Sequence, residues 1–318
     1  MQLIRGFHNL AKYGALNKGC VLSIGNFDGV HVGHQNILSR LCDKALELNL
    51  PSVVMLFEPQ PREFFAKKNG NLTACNPPAR LMRLRDKLKY LEEAGVDFVL
   101  CVRFGEKFAH ISAEDFISDL LAKQLKVRYL SVGDDFRFGA KRAGSFETLR
   151  NAGLKYRFAV EESHTHSLNE ERISSSLIRE ALKNDDLSLA EKLLGKPYSI
   201  CGRVAHGNKL GRTIGFPTAN ILLNSLVTPI QGVYAVQVET PQGKFNGIAN
   251  VGNRPTIKDT KPLLEVHIFD FQGDLYGKAI SVNFCYKVRN ETKFESFEAL
   301  KAQIEQDVMM VRKYFQAV

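Results

Sequence analysis

Two histidines three residues apart give the first indication of chemistry. They lie in Gly25-Asn26-Phe27-Asp28-Gly29-Val30-His31-Val32-Gly33-His34, between a short apolar run and a segment of helical spacing. The stretch is therefore expected to leave a strand and enter a helix. Backbone N–H groups and the helix dipole point outward at such a turn, worth about 0.3–1 kcal/mol to an anion and up to ~2 kcal/mol when partly buried. Gly25, Gly29 and Gly33 let backbone approach phosphate oxygens with no Cβ in the way. His31 and His34 can both present ring N–H donors to one phosphate, and Phe27 lies in the same turn. This set suits nucleotidyl transfer, in which a nucleophile attacks the α-phosphorus of a nucleoside triphosphate and pyrophosphate leaves. Charge builds on equatorial oxygens there, and positioned donors lower the barrier. Three other readings compete. The histidines could be satisfied loop residues; they could ligate zinc, although no third ligand has suitable spacing; or the loop could bind a dinucleotide, although G-x-G-x-x-G is absent. A second anion nest is expected at Ile173-Ser174-Ser175-Ser176-Leu177-Ile178-Arg179, where serine hydroxyls and first-turn N–H groups open a helix and Arg179 adds a fixed charge. A plain serine N-cap is the alternative there.

The second half carries a different set. Gly202-Arg203-Val204-Ala205-His206-Gly207-Asn208-Lys209-Leu210-Gly211-Arg212-Thr213 resembles a P-loop only superficially. The spacing is one residue short, Arg212 replaces the lysine, and Gly215 and Pro217 deny the following helix. A glycine-rich segment beside a strand can still wrap phosphates with Gly207, Lys209, Gly211 and Arg212. Next come Gly215-Phe216-Pro217-Thr218-Ala219-Asn220. Thr218 and Asn220 supply two hard oxygen donors that can hold a Mg²⁺ bound mainly by phosphate and water; an ordinary turn pair is the alternative. Glu265 stands on the strand face opposite Leu264 and Val266. A carboxylate there can take the proton of an attacking hydroxyl in phosphoryl transfer, or it can be a simple exposed strand glutamate.

These residues need two kinds of scaffold. In the first half, apolar runs at 21–24, 52–57, 98–102, 129–132 and 156–160 alternate with helical spacing at 35–48, 79–94 and 113–125, the last capped by Ser112 with Asp115. Strand and helix in alternation predict a parallel sheet covered on both faces, with ligands beyond the carboxyl ends of the strands. The loops after Ile24, Phe57 and Val132 are the ones to search. Beyond the helical stretch 187–194 and Gly195-Lys196-Pro197, the period becomes two: Tyr234, Val236 and Val238, then Leu264, Val266 and Ile268, then Ile280, Val282, Phe284 and Tyr286. Antiparallel strands of this kind close most economically into a small barrel, which a helix at 297–315 can cover. The boundary is placed in the polar stretch near Asp186, giving domains 1–186 and 187–318.

The chain has 318 residues, enough for two domains. With 44% hydrophobic and 24% charged residues it is not a disordered chain. No apolar run approaches a membrane span, and residues 1–20 lack the apolar core of a secretory signal. The six scattered cysteines include no C-x-x-C and suit reduced, mostly buried thiols in a cytoplasm. The net charge of +9 is shared, +4 through Asp186 and +5 beyond it, which suits nucleic acid, small phosphorylated substrates or solubility alone. Arg80, Arg83 and Lys87 are expected on a solvated helix face.

Taken in order, GNFDGVHVGH, FEPQPREFF, VGDDFRFG and ISSSLIR resemble the FMN adenylyltransferase domain of bacterial bifunctional riboflavin kinase/FAD synthetases, a member of the nucleotidyltransferase superfamily. HGNKLGRTIGFPTAN, GVYAVQV, GIANVGNRPT, LEVHIFDF, DLYGK and VRNETKF resemble the riboflavin kinase domain of the same family. The resemblance implies a Rossmann-like nucleotidyltransferase fold followed by a six-stranded barrel. It implies that ATP phosphorylates riboflavin to FMN in the second domain, and that a second ATP adenylylates FMN to FAD, releasing pyrophosphate, in the first. In that picture His31 and His34 handle ATP phosphates with Gly25 and Phe27, while Ser174, Ser175 and Arg179 hold the departing pyrophosphate. Phe57, Pro59, Asp135 and Phe136 line the flavin side. Thr218 and Asn220 hold Mg-ATP, Glu265 is the base for the ribityl 5′-hydroxyl, and Arg289 lies near the flavin end. Gln60 stands where the family commonly has His, and Ser176 where Thr is common. The expected partners are riboflavin, FMN and ATP, with no nucleic acid, membrane or obligatory protein partner. Two rivals are a class I aminoacyl-tRNA synthetase, which also carries His-x-Gly-His but has lysines in its second signature, and a flavin sensor without turnover.

Overall fold

The computed structural model describes residues 1–68, 77–133, 135–163, 167–168, 171–207, 215–223, 227–255 and 260–317. Lys209, Gly211 and Arg212 lie outside the described residues, as do Asp134 and Cys75. The chain divides into two compact units: Met1–Pro78 with Leu84–Ser174, and Ala79–Arg83 with Ser175–Val318.

Six parallel strands form the first unit: β1 (Gln2–Arg5), β2 (Cys20–Ile24), β3 (Ser52–Glu58), β4 (Phe98–Arg103), β5 (Val127–Gly133) and β6 (Ala159–Ser163), in the order β1-β4-β3-β2-β5-β6. All five residues of β2 are buried, as expected for a central strand covered on both faces. The helices are α1 (Val32–Leu48), α2 (Pro61–Lys68), α3 (Leu84–Glu93), the short α4 (Glu106–Ala109), α5 (Ala113–Asp115) and α6 (Phe146–Tyr156). Ser112 caps α5 by accepting the Asp115 N–H, and the helix then widens to π geometry over Phe116–Gln124.

Several sequence expectations shift. The strand expected at 156–160 is Ala159–Ser163, because Tyr156 closes α6 and Arg157 takes the left-handed C-cap. Strand β1 carried too short a pattern to be noticed. The helix expected from residue 79 begins at Leu84. Residues 79–83 pair with the second unit's own groups: Arg179 Nε donates to the Ala79 carbonyl at 2.6 Å, and Arg83 donates to the Leu222 carbonyl. The solvated basic face is also corrected, because Lys87 is only 4% exposed. Of the five described cysteines, all free, only Cys20 is buried, and burial pushes its thiol up to about 12.

A two-residue hairpin, β7 (Ser167–Leu168) with β8 (Glu171–Arg172), ends the first unit. The second unit opens with α7 (Ser175–Lys183) packed on α8 (Leu187–Leu194). Its six strands are β9 (Ser199–Ala205), β10 (Ala219–Leu222), β11 (Gly232–Thr240), β12 (Gly243–Pro255), β13 (Thr260–Ile268) and β14 (Ala279–Arg289). They close into an antiparallel barrel in the order β10-β13-β12-β11-β14-β9. Period-two alternation sends Leu264 and Val266, fully buried, to one face and Glu265 and His267 to the other. Gly232 precedes a half-buried latch in which the Tyr234 hydroxyl and Lys287 Nζ meet Asp185 Oδ1 at 2.8 and 2.9 Å. The closing helix, Phe297–Ala317, packs on β12 and β14.

Candidate functional site

In the first unit, β3 and β4 lie to one side of β2, and β5 and β6 to the other. The order reverses at β2, the position beyond whose carboxyl end open α/β sheets bind ligands. The turn after β2 occupies that end. Phe27, Gly29 and Val30 take positive φ values of 45°, 83° and 41°. For a β-branched valine this is a strained conformation, of the sort that surrounding contacts must hold. Gln35 Nε2 donates to the Val30 carbonyl at 2.9 Å, and Lys87 Nζ to the Asn26 carbonyl at 2.5 Å. Lys87 thereby brings a buried positive charge to the base of the turn.

The two histidine rings stack at 3.6 Å with 20° between their planes, and Phe27 packs on His34 at 4.9 Å. His31 is the N-cap of α1: its Nδ1 accepts the His34 backbone N–H at 3.3 Å. That bond commits Nδ1 as an acceptor and makes Nε2 the proton-bearing nitrogen of the neutral ring. A Cβ on Gly33 would meet His31 Nδ1 at 3.2 Å and the Ile173 carbonyl at 3.6 Å, and one on Gly25 would meet the Phe27 ring at 3.1 Å. The serine-rich segment therefore begins against the histidine turn, with Ser174 the next residue along. The packing boundary then cuts the motif, leaving Ser175 and Arg179 to the second unit.

Around the neighbouring strand ends, Phe57 joins Phe104 and Phe108 at 5.9 and 5.5 Å, and Phe136 stacks on Phe138 at 5.6 Å. Both Phe57 and Phe136 back onto the sheet core while remaining half-buried. Pro59 follows a cis peptide bond. Asp135 is exposed, its carboxylate 3.8 Å from Arg172. Gln60 is buried: its backbone N–H donates to Glu63 Oε2 at 3.1 Å, and its side-chain Nε2 meets no partner among the described residues.

In the second unit, a cavity of about 550 Å³ lies between the outer face of the barrel and the closing helix, lined by Thr218, Asn250, Glu265, His267 and Arg289 among others. Strand register aligns its polar residues. Asn220 on β10 lies opposite Glu265 on β13, and Glu265 lies opposite Asn250 on β12. Asn250 lies opposite Val233 on β11, and Val233 opposite Arg289 on β14. Directly opposed residues share a face, so one row crosses five strands from Asn220 to Arg289.

Each end of the row has close neighbours. A Cβ on Gly207 would meet Asn220 Nδ2 at 2.3 Å, so only glycine lets that backbone lie against the amide. Arg289 Nε reaches both oxygens of the buried Asp307 at 3.1 and 2.9 Å, and Gln303 Nε2 adds a bond at 2.9 Å. Arg289 thus lines the cavity with its guanidinium already paired. His267, on the Glu265 face of β13, engages the Pro217 carbonyl through Nδ1 at 2.8 Å. Burial lowers its basicity, with the Pro217 bond opposing.

Among the described residues, no cluster of three or more His, Cys, Asp or Glu side chains could hold a metal ion. Thr218 and Asn220 are neutral oxygen donors, a set that fits Mg²⁺ carried mainly by phosphate and water. The motif reading missed Lys87, Asn250, His267 and Asp307. Lys87 had a detectable trace, a lysine in an otherwise amphipathic helix, but the other three depend on register and helix packing.

The FAD synthetase family model matches residues 14–177 and the riboflavin kinase model residues 194–315. The chain is 56% identical to the bifunctional riboflavin kinase/FMN adenylyltransferase of Haemophilus influenzae, covering 99% of each. It is 52% identical to that of Escherichia coli K12, covering 99% of this chain and 98% of the relative. A crystal structure described as a macrolide-efflux protein from Streptococcus pneumoniae shares the fold, with a TM-score of 0.78, 30% identity and 98% of each chain covered. Among the described residues, no helix is long and apolar enough to cross a membrane. With both family models matched in order and relatives similar over their whole length, the chain belongs to the bifunctional riboflavin kinase/FMN adenylyltransferase family.

Proposed function

We propose that the chain makes FAD from riboflavin in two ATP-dependent steps, the kinase step in residues 187–318 and the adenylyl step in residues 1–186. In the first step Glu265 takes the proton of the ribityl 5′-hydroxyl as that oxygen bonds to the γ-phosphorus of ATP; the bond to the β-phosphate oxygen breaks, and ADP leaves with its electron pair. Thr218 and Asn220 hold Mg-ATP at one end of the row, with Gly207 and, from the motif, Lys209, Gly211 and Arg212 around its phosphates. Arg289, held by Asp307, walls the flavin end. Mg²⁺ bound there would neutralise phosphate charge.

In the second step a phosphate oxygen of FMN attacks the α-phosphorus of a second ATP, and pyrophosphate leaves. His31 and His34 donate to phosphate oxygens, within the turn made by Gly25 and Phe27, where charge grows in the transition state. Ser174 lies beside them, and the motif gives Ser175 and Arg179 to the pyrophosphate. Phe57, Pro59, Asp135 and Phe136 receive the flavin. Cytoplasmic work on small molecules, with no nucleic acid, membrane or obligatory protein partner, belongs to the same reading.

The observation that most directly supports this reading is Glu265, second in the row beside Asn220, facing a cavity with oxygen donors on one side and an apolar, arginine-walled end on the other. The test mixes the purified protein with riboflavin and Mg-ATP and follows riboflavin, FMN and FAD by chromatography. FMN rising and then yielding to FAD is expected. FMN accumulating without FAD would confine the chemistry to the barrel, and no product would favour a flavin sensor.

A further inference from the structure

Asn250 is a polar residue in the row that neither motif nor family comparison assigns. Its Nδ2 donates to Glu291 Oε1 at 3.2 Å, and Glu291 Oε2 takes a second bond from Gln231 Nε2 at 2.9 Å. The carboxylate fixes the orientation of the amide, because an amide oxygen turned toward Glu291 would set two acceptors against each other. The other end of the amide is consequently an acceptor, and Asn250 Oδ1 is buried with no hydrogen-bond partner among the described residues. Such an oxygen carries an unmet desolvation cost that a hydroxyl donor would remove.

The row shows where such a donor comes from. Neighbouring strands lie about 4.8 Å apart, so Asn250 is one strand from Glu265 and two from Arg289. On the kinase reading above, the 5′-hydroxyl lies at Glu265 and the flavin ring toward Arg289. A chain joining those two ends must pass Asn250, and the ribityl chain carries three secondary hydroxyls. We propose that Asn250 recognises the ribityl chain, its Oδ1 accepting a hydrogen bond from a secondary hydroxyl and so steering the 5′-hydroxyl to Glu265. Asn250 is thus a specificity residue for polyol-bearing flavins. Flavins with a bare alkyl group at the same ring position leave the oxygen unpaired, and a site built to bond a hydroxyl discriminates against such analogues.

The test compares riboflavin with lumiflavin, which has the same ring but no side-chain hydroxyls, by flavin fluorescence titration in the full-length protein with ADP and Mg²⁺ present. Asn250→Ala is expected to weaken riboflavin binding about tenfold to a hundredfold, the scale for losing one buried hydrogen bond, and to leave lumiflavin binding within about twofold. The riboflavin KM should rise more than kcat falls, and FAD formation from supplied FMN should be unchanged. Equal weakening for both flavins would overturn the proposal and reduce Asn250 to a prop for Glu291; no weakening would overturn it outright. If Asn250→Ala lowers the unfolding midpoint, Asn250→Ser serves for the same affinity ratio, which does not depend on the active fraction. Glu265→Gln is the control for the underlying reading. If it retains kinase activity, the cavity assignment fails; if it is inactive while the Asn250 ratio is unchanged, only the ribityl inference fails.

Discussion

The His31 ring is set to donate because its other nitrogen is already occupied. Nδ1 accepts the His34 N–H, so Nε2–H is the donor left for the phosphate charge that grows in the proposed adenylyl step. His31→Ala is expected to cost about 10²–10³ in FAD formation from FMN, the scale for one oriented transition-state donor, with FMN formation unchanged. Glu265→Gln should do the reverse, losing about 10²–10⁴ in FMN formation; a parallel loss of both products in either variant would refute separate sites. His267 allows a pH test of stability. Burial holds its folded-state value below the ordinary 6.5, so below that value the unfolded chain binds the extra proton more readily. Its contribution is complete above 6.5 and is lost as pH falls toward the depressed folded value. Urea unfolding across that window should show a shallower decline for His267→Asn than for the parent.

At the scale of elements, the turn after β2 and the closing helix carry the most consequence. The turn runs through three positive-φ residues and is pinned by Gln35 and Lys87, so its shape belongs to the surrounding sheet and helices. Gly33→Ala places a methyl 3.2 Å from His31 Nδ1. It should lower FAD formation at least tenfold while kinase activity and the unfolding midpoint change little; equal loss of both activities would point to misfolding. The closing helix is tied to the barrel by Asp307, whose side chain is 4% exposed, through a 2.8 Å ion pair with Arg289. Asp307→Ala leaves a largely buried guanidinium without its carboxylate and should cost about 3 kcal/mol of unfolding free energy, measured by denaturant titration, together with weaker riboflavin binding.

For the whole molecule, two compact units carry two constellations, and each family model falls on one stretch of chain. The packing division and the proposed functional division at 186/187 do not coincide. The serine-rich motif is cut between Ser174 and Ser175, and residues 79–83 count with the second unit. The proposed two-step reading needs only FMN free in solution between the steps. A mixture of His31→Ala and Glu265→Gln proteins should therefore convert riboflavin to FAD although neither does so alone. Failure of the mixture, with each surviving activity intact, would mean that FMN must pass within one molecule.

Local chemistry alone made much of this legible. Period-two alternation and strand–helix alternation are backbone geometry, so the barrel and the parallel sheet could be read directly from the residues. Glycine and histidine spacing placed a strand-to-helix turn at 25–34, and glutamate opposite Leu264 and Val266 placed a carboxylate away from the barrel interior. Ser112 announced its cap, although not the π-helix that follows. Other features required the tertiary structure because they are long-range. The helix expected from residue 79 waits until Leu84, since Ala79 and Arg83 bond to groups far along the chain. Lys87 is buried because a turn sixty-one residues earlier offers it a carbonyl. Arg289 owes its pairing to a helix that follows it. The row from Asn220 to Arg289 exists only because the closed barrel sets the register of five strands, and pattern along one strand contains no information about its neighbour's offset. Residue types and periods determined which chemistry the chain can do; register and burial decided which atoms face one another to do it.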